Sequence, residues 1–274
     1  ALITTIGPAH LEGFGDESGV LREKLALVRA ARPAGSVVVG EKPSLLGRSA
    51  REIRADARVA GLDDDADWRP DRWGIDATTC WFERGGTRYV VPAGGEHHLR
   101  DAILAAAMAE AIGVSSAGVS GGIAQYRPVG MRGALRQLGE LTIVADCYNA
   151  NPESFAAAID YCVKAFPGRR LAAVVGSMLE LGAHSNLAHE EVARSLVEAG
   201  FAQVVALGDF GPAFERLSAA ANGTRVERAS SAASAVEAIA ARLTGDEVIL
   251  VKASRGERLE RVIEGLEARF GEGS

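Results

Sequence analysis

The segment Leu141-Thr142-Ile143-Val144-Ala145-Asp146-Cys147-Tyr148-Asn149-Ala150-Asn151-Pro152 sets the pattern for the second half of the chain. The apolar run Leu141–Ala145 predicts a buried strand. Pro152 is suited to the first position of a helix, because its missing N–H would have no partner there. The polar residues between them lie where α/β proteins bind ligands, at the carboxyl end of a strand.

The same alternation continues to the end of the chain. Further strands are expected at Leu171–Gly176, Gln203–Leu207 and Glu247–Val251. Helices are expected at Pro152–Ala165, Ala188–Ala199, Phe210–Ala221, Ser231–Leu243 and Glu257–Phe270. This spacing predicts an α/β fold with a parallel doubly wound sheet. The segment Arg127-Pro128-Val129-Gly130 is the best domain boundary, so we expect domains at residues 1–127 and 128–274.

The first half has a different pattern. Strands are predicted at Leu2–Ile6 and Ser36–Gly40, helices at Ser18–Ala31, Leu45–Ala57 and His98–Ile112, and a shorter helix ending near Tyr126. Residues 61–76 are expected to form a polar loop, and Thr78–Glu83 with Thr87–Val91 a hairpin around Arg84-Gly85-Gly86.

Composition excludes several classes of protein. Apolar residues make up 47% and charged residues 24%, which is ordinary for a globular domain. A net charge of −6 argues against a nucleic-acid partner, and the three cysteines are too scattered for a disulfide framework or a cysteine zinc site. No run of about 18 apolar residues predicts membrane insertion, so the default location is cytoplasmic.

Two residues near the start could act on a metal. His10 lies in the Gly-rich turn Gly7–Gly15, and Lys24 follows on the next helix. Neutral imidazole binds divalent metals, whereas lysine carries a charge and becomes a metal-bridging group only when it is carbamylated. The alternative is that His10 is a turn residue and Lys24 a solvated helix residue beside Glu23.

Four turns of the second half carry polar groups. Asp146, Asn149 and Asn151 could reach ribose hydroxyls or a peptide, although Asn151 could instead only cap the helix. An arginine at the domain boundary, Arg132, is suited to clamp a phosphate, but an ordinary salt bridge explains it equally well. The turns Gly176–Gly182 and Lys252–Gly256 could bind an anion, or could be the turns that any such fold needs.

Two phosphate-binding signatures are absent from the sequence. There is no Gly-Lys pair, and therefore no G-x-x-x-x-G-K-[ST] phosphate loop. The G-x-G-x-x-G dinucleotide fingerprint is also missing.

Taken in order, these motifs resemble the Mur ligase family. The matching segments are Ala9–Gly15 with Lys24, Gly130–Arg132, Asp146–Pro152, Met178–Gly182 with Ser185 and His189, and Val251–Gly256. The resemblance implies three domains, of which residues 1–127 would be the later part of the central ATP-binding domain and residues 128–274 the complete Rossmann-like third domain. The UDP-sugar domain, the phosphate loop and an acidic magnesium ligand would then lie before Ala1, in an N-terminal half missing from this chain.

The resemblance also implies a reaction. It is ATP-driven amide formation in peptidoglycan precursor synthesis: a carboxylate is phosphorylated, and the amine of D-Ala-D-Ala attacks the acyl phosphate of UDP-N-acetylmuramoyl-tripeptide. ATP and Mg²⁺ are the implied cofactors. Without the phosphate loop, the chain by itself is expected to have no turnover.

Site residues follow from the same resemblance. His10 and a carbamylated Lys24 would hold magnesium, and Arg132 and Asp146 would contact the phosphates and ribose of ATP. The adenine-contacting positions are occupied by His98 and Asp101, where the family usually has asparagines. The peptide or dipeptide would face the residues Asn149, Asn151, Ser177, Glu180 and Ser254, with Ser177 replacing the usual aspartate.

Other functions stay open. A folylpolyglutamate or cyanophycin synthetase is a related alternative, which the Tyr148–Pro152 string argues against. The substitutions at His98, Asp101 and Ser177 favour a third possibility, a binding module or degenerate fragment without ATPase activity.

Overall fold

The computed structural model describes residues 1–7, 11–217 and 223–271. The chain divides into two compact units, Ala1–Arg127 and Pro128–Ser274, and each is described by itself. Among the described helices, none combines the length and the apolar character needed to cross a bilayer.

The first unit contains a parallel sheet of three strands, β1 (Leu2–Ile3), β2 (Val38–Gly40) and β3 (Arg58–Ala60), in that order. Its helices are α1 (Leu11–Phe14), α2 (Glu17–Ala30), α3 (Ser44–Ile53), α4 (Glu96–Ala111) and α5 (Ser116–Ala124). Helix α2 begins where Asp16 accepts a hydrogen bond from the Gly19 N–H at 2.8 Å. Its apolar side chains recur on one face and are buried, namely Val20, Leu21, Leu25 and Val28.

A second, antiparallel sheet in this unit is formed by β4 (Arg72–Ile75), β5 (Cys80–Arg84) and β6 (Thr87–Val91). The β5–β6 turn is Gly85-Gly86, with φ of 56° and 78°. A two-residue hairpin turn with both φ values positive matches the twist of the strands, and glycine adopts it without strain. Phe82 and Tyr89 stack across the two strands with ring centroids 4.5 Å apart.

The second unit is built on a six-stranded sheet. Its strands are β7 (Ala134–Leu138), β8 (Leu141–Asp146), β9 (Leu171–Val175), β10 (Gln203–Ala206), β11 (Arg225–Arg228) and β12 (Val248–Lys252). The spatial order is β11-β10-β9-β12-β8-β7, and every pair is parallel except β7 with β8. The carboxyl ends of five strands therefore meet at one edge of the sheet.

Helices cover both faces of this sheet. They are α6 (Pro152–Ala165), α7 (Ser185–Glu198), α8 (Phe210–Arg216), α9 (Ala232–Ala240) and α10 (Glu260–Phe270). Phe155, Val192 and Phe210 belong to the core on one face, which α6 to α8 cover. Ile239 and Val262 belong to the core on the other face, under α9 and α10. This is the doubly wound α/β arrangement that the sequence predicts.

Several expectations need correction. The first strand ends at Ile3 rather than Ile6, because only Leu2 and Ile3 pair with β2. The expected polar loop over residues 61–76 contains β4, and the pure parallel sheet expected for the second unit has the antiparallel edge strand β7. Strands β3 and β11 are also absent from the sequence prediction. The expected helix Phe210–Ala221 ends at Arg216 in the described part, and residues 218–221 lie outside it.

Candidate functional site

The carboxyl edge of the six-stranded sheet brings Asp146 and Lys252 together. They are the last residues of the neighbouring strands β8 and β12, and they are direct partners in the parallel register. The Lys252 ammonium donates a hydrogen bond to Asp146 Oδ2 at 2.5 Å and another to the Asn149 carbonyl at 3.3 Å. Phe155 places its ring centroid 5.3 Å from the Lys252 nitrogen. The ends of two parallel strands therefore form one ion pair.

Burial differs sharply between the two partners. The Lys252 side chain is 1% exposed, whereas the Asp146 side chain is 20% exposed. A buried ammonium is tolerated only when it is paired, because transferring a charge from water into the protein costs roughly several kcal/mol per ion. Lys252 is thus committed to the protein, and Asp146 keeps an accessible part of its carboxylate. Sequence analysis placed Lys252 in a turn that could bind an anion but did not predict its pairing with Asp146, although a single lysine closing the apolar strand Val248–Lys252 was a usable signal.

The asparagines of the next turn are used locally. Asn151 Oδ1 accepts a hydrogen bond from the Ser154 N–H at 2.8 Å, while the Asn151 N–H donates to Ser154 Oγ at 3.0 Å. This reciprocal pair is a capping box at the start of α6. Asn149 Oδ1 accepts from the Ala150 N–H at 2.9 Å. The side-chain oxygen of Asn151 therefore caps the helix, as the alternative interpretation predicts. A substrate role for either asparagine stays a prediction.

Two buried serines hold neighbouring turns together. Ser177 Oγ accepts a hydrogen bond from the Asp209 N–H at 3.0 Å. Ser254 Oγ accepts from the Leu179 N–H at 3.0 Å and donates to the Ala150 carbonyl at 3.4 Å. Both serines are 4% exposed. The turns after β8, β9, β10 and β12 are therefore fixed to one another by hydroxyl groups that face the protein.

A buried histidine also holds the turn at residues 177–182 in place through a hydrogen bond. His189 on α7 is fully buried, and its Nε2 accepts a hydrogen bond from the Met178 N–H at 2.9 Å. Its Nδ1 lies 2.7 Å from the Ser185 carbonyl, which requires the proton on Nδ1. Burial lowers the pKa of His189, so the ring is held neutral. The exposed Glu180 of this turn has φ of 64°, the left-handed conformation that few non-glycine residues adopt.

The ring of Tyr148 contacts two arginines at the same edge of the sheet. The guanidinium carbon of Arg132 lies 4.0 Å from the centroid of the Tyr148 ring, and that of Arg255 lies 5.2 Å from it. The Tyr148 N–H donates to the Met131 carbonyl at 3.1 Å, which fixes the arginine segment beside the ring. Arg132 thus stacks on an aromatic ring, and among the described residues it forms no salt bridge.

The first unit has a separate cleft that includes two of the predicted nucleotide-binding residues. Its volume is about 430 Å³, and it is lined by Val91, His98, Asp101, Ala102, Ala105, Gly122, Ile123, Gln125 and Tyr126. Burial and the neighbouring His97 lower the pKa of His98 to about 3, and its Nε2 has no hydrogen-bond partner among the described residues. Burial also raises the pKa of Asp101, although that residue keeps contact with solvent. The mostly apolar lining suits a flat heterocycle.

Ion pairs fix the start of helix α4, which carries both residues. Arg100 pairs with Glu96 one turn before it at 2.7 Å, and it also contacts Glu41. Glu41 is 7% exposed and accepts a hydrogen bond from the Asp63 N–H at 2.7 Å. The helix is thereby tied to the end of β2.

Of the two predicted metal residues, only Lys24 lies in the described part. His10 lies outside it, and Lys24 is exposed on α2. No group of three or more His, Cys, Asp or Glu side chains among the described residues is placed to hold a metal ion. Because one of the two predicted magnesium ligands lies outside the described residues, no step of the reaction is derived through the metal.

Comparison with known proteins shows which family the chain is similar to. Residues 131–255 match the family described as Mur ligase, glutamate ligase domain. The UDP-N-acetylmuramoyl-tripeptide–D-alanyl-D-alanine ligase of Bacillus subtilis is 26% identical over 270 residues, which is 97% of this chain and 58% of that protein. Its counterpart in Haemophilus influenzae is 32% identical over 195 residues, 70% of this chain and 42% of that protein. The chain thus spans about three fifths or less of these relatives.

Solved structures lead to the same family. MurF from Acinetobacter baumannii superposes with a TM-score of 0.82 at 26% identity, covering 97% of this chain and 59% of that one. MurF ligase from Thermotoga maritima, crystallised with ADP, superposes with a TM-score of 0.83 at 23% identity. The superposition covers 100% of this chain and 62% of that one, and it shows that the two share a fold. The chain is therefore a relative of the Mur ligases that carries their C-terminal domain at residues 131–255.

Proposed function

We propose that the chain is part of an ATP-dependent amide ligase that joins D-Ala-D-Ala to UDP-N-acetylmuramoyl-tripeptide in cytoplasmic peptidoglycan precursor synthesis. The observation that carries the proposal is the edge of the six-stranded sheet. There Asp146 keeps an accessible carboxylate while Lys252 neutralises part of its charge, and Arg132 lies on the ring of Tyr148. A carboxylate that accepts from ribose hydroxyls beside a guanidinium that binds phosphate is the arrangement a nucleotide needs.

The proposed reaction consists of two transfers. The terminal carboxylate of the tripeptide attacks the γ-phosphorus of ATP, and ADP leaves with the electron pair of the broken P–O bond. The neutral amine of D-Ala-D-Ala then attacks the acyl phosphate, phosphate leaves, and the nitrogen loses a proton. Both steps concentrate negative charge on phosphate oxygens, so preorganised cations contribute most to the rate.

Residues of this chain take separate roles in the proposal. Arg132 binds phosphate and Asp146 binds the ribose. His98 and Asp101 border the cleft for adenine, whose apolar lining contacts the faces of the ring. The peptide or the dipeptide faces the turns that carry Asn149, Asn151, Ser177, Glu180 and Ser254, and the two buried serines act through the turns that they hold.

The proposal extends to parts that the described residues do not supply. Residues 1–127 correspond to the later part of a central ATP-binding domain. Because the chain has no Gly-Lys pair, the phosphate-cradling loop comes from residues outside this sequence. Magnesium at His10 and a carbamylated Lys24 belongs to the same proposal, and the chain alone is expected to be inactive.

The test is phosphate release from ATP with magnesium, UDP-N-acetylmuramoyl-tripeptide and D-Ala-D-Ala, with the amide product followed by mass spectrometry. The chain is assayed alone and mixed with the corresponding N-terminal part of the Bacillus subtilis relative. Dipeptide-dependent product in the mixture alone is expected, and Asp146→Asn should lower it at least tenfold. Asp160→Asn, which changes an exposed carboxylate paired with Lys164 on α6, is the matched control.

A non-catalytic binding module is the second candidate. The observation that favours it is His98, a buried neutral ring with an unpartnered Nε2 where the family usually has an asparagine. In that case the mixture forms no product, while ATP or the UDP-linked peptide still binds the chain in calorimetry. Product in the mixture overturns this candidate.

A further inference from the structure

Tyr148 is the shared contact of two guanidinium groups. Arg132 and Arg255 lie 4.0 and 5.2 Å from the same ring centroid, so their guanidinium carbons are at most 9.2 Å apart, the sum of the two distances. Both arginines are exposed, and the Tyr148 ring itself is 38% exposed. Two positive charges therefore border one accessible patch of surface.

Among the described residues neither arginine forms a salt bridge with a carboxylate, whereas Lys252 and Asp146 next to them neutralise each other. The carboxylate of Glu257, which follows in the same turn, has Oε1 3.0 Å from where a Cβ on Gly208 would stand, and Glu260 and Glu264 line a cavity together with Arg255. The two guanidinium groups on Tyr148 therefore have no ion-pair partner among the described residues.

Such a patch selects its ligand by charge and geometry. A phosphate group carries about −1.5 to −2 charges at neutral pH and three acceptor oxygens, whereas a peptide carboxylate carries about −1 and two oxygens. Guanidinium groups bind phosphate through two parallel N–H···O bonds. Stacking on Tyr148 restricts both side chains before binding, which lowers the entropy lost when a ligand is held.

We propose that Arg255 is a second phosphate-binding residue, and that Tyr148 positions it together with Arg132 so that both guanidinium groups engage one phosphate. The identity of the phosphate compound, ATP or the acyl phosphate made from it, rests on the proposed function. The binding of a phosphate by the two arginines does not depend on the proposed function. Arg255 touches the phosphate, while Tyr148 is a positioning residue that acts through the two arginines.

The test is calorimetric titration of the full chain with inorganic tripolyphosphate. Arg255→Ala should weaken binding about tenfold, the loss of one charge-assisted contact. Arg255→Lys should recover only part of the affinity, because lysine keeps the charge and loses the planar fork. Arg261→Ala is the matched control, since it removes an exposed arginine of α10 from the same end of the unit without a contact to Tyr148 among the described residues.

Tyr148 variants separate positioning from charge. Tyr148→Phe keeps the ring and should bind tripolyphosphate as the unchanged chain does. Tyr148→Leu should weaken binding several-fold, and circular dichroism checks its folding; if it does not fold, the Arg255 variants decide. A chain that does not bind tripolyphosphate overturns the proposal, as do equal losses in Arg255→Ala and Arg261→Ala. A loss of D-Ala-D-Ala affinity in place of tripolyphosphate affinity overturns it in favour of a carboxylate.

This experiment is independent of ligation. Arg255-dependent tripolyphosphate binding by a chain that never forms product in the mixture supports the phosphate site and overturns the ligase. Product formation in the mixture, together with tripolyphosphate binding that Arg255→Ala leaves unchanged, supports the ligase and overturns the phosphate site.

Discussion

We predict that removing Asp146 and removing Lys252 from their ion pair will lower the stability of the second unit by different amounts. Asp146→Ala leaves an ammonium that is 1% exposed without its partner, whereas Lys252→Met leaves a carboxylate that is 20% exposed. Water can reach the second charge and can hardly reach the first. The aspartate variant should therefore be the more destabilised of the two.

The magnitudes follow from this difference in burial. Removing one partner of a buried pair costs about 3–5 kcal/mol, and we expect Asp146→Ala to fall in that range. Lys252→Met should cost less, about 1–2 kcal/mol, because the remaining carboxylate is partly hydrated and the methionine keeps apolar contact with Phe155. The double variant should be no less stable than Lys252→Met, since it leaves no unpaired charge.

The assay has to report on the second unit. All three tryptophans, Trp68, Trp73 and Trp81, belong to the first unit, so intrinsic fluorescence follows the other half of the chain. Urea unfolding by circular dichroism, combined with hydrogen exchange of peptides spanning β8 and β12, measures the relevant opening free energies.

Two results would refute the reasoning. Equal losses in the two single variants would mean that the exposure of the partners does not control the cost. A double variant as unstable as Asp146→Ala would mean that the aspartate acts through contacts other than Lys252.

Three further predictions use the same kind of measurement. Asn151→Ala should destabilise the second unit by about 1 kcal/mol through loss of the cap of α6, with most of it recovered in Asn151→Asp, and an unchanged urea midpoint would contradict the capping role. Gly208→Ala should cost well over 1 kcal/mol, because φ is 53° and the new Cβ would stand 2.0 Å from Ser177 Oγ; Gly200→Ala, with φ of 79° and open space around it, should cost only the backbone part of about 1 kcal/mol. Because the pKa of His98 is lowered from 6.5 to about 3, the unfolded chain binds a proton that the folded chain does not. The free energy of unfolding of the first unit should therefore fall by up to about 1.4 kcal/mol per pH unit as the pH drops from 6.5 towards 3. Urea unfolding followed by tryptophan fluorescence measures this fall, and His98→Phe should lack the contribution of the histidine.

Local sequence was sufficient for most of the helices and the central strands. Helix α6 begins and ends at the predicted residues, Pro152 and Ala165, because its start is marked by a cap and a proline within four residues. Strands β8, β9, β10 and β12 were found within two residues at each end, because their runs of apolar side chains are buried on both faces.

Edge strands were missed for a physical reason. β7 and β11 have exposed, charged side chains such as Arg136 and Arg225, and they are strands because a neighbour supplies hydrogen bonds. The short β3 and β4 are missed in the same way. Each has only three or four residues, too few to give a pattern of its own, and each is a strand because β2 or β5 pairs with it.

For the candidate site, the sequence by itself determined the turns and the family they resemble. Strand-turn-helix units must bring their turns to one edge of a parallel sheet, so Asp146, Ser177 and Ser254 were predictable as neighbours. What each side chain does there was decided only by tertiary structure. Pairing of Asp146 with Lys252, the inward-facing serine hydroxyls and the two arginines on Tyr148 all join residues far apart along the chain or on separate turns. Such contacts depend on strand register and packing, which no local pattern encodes.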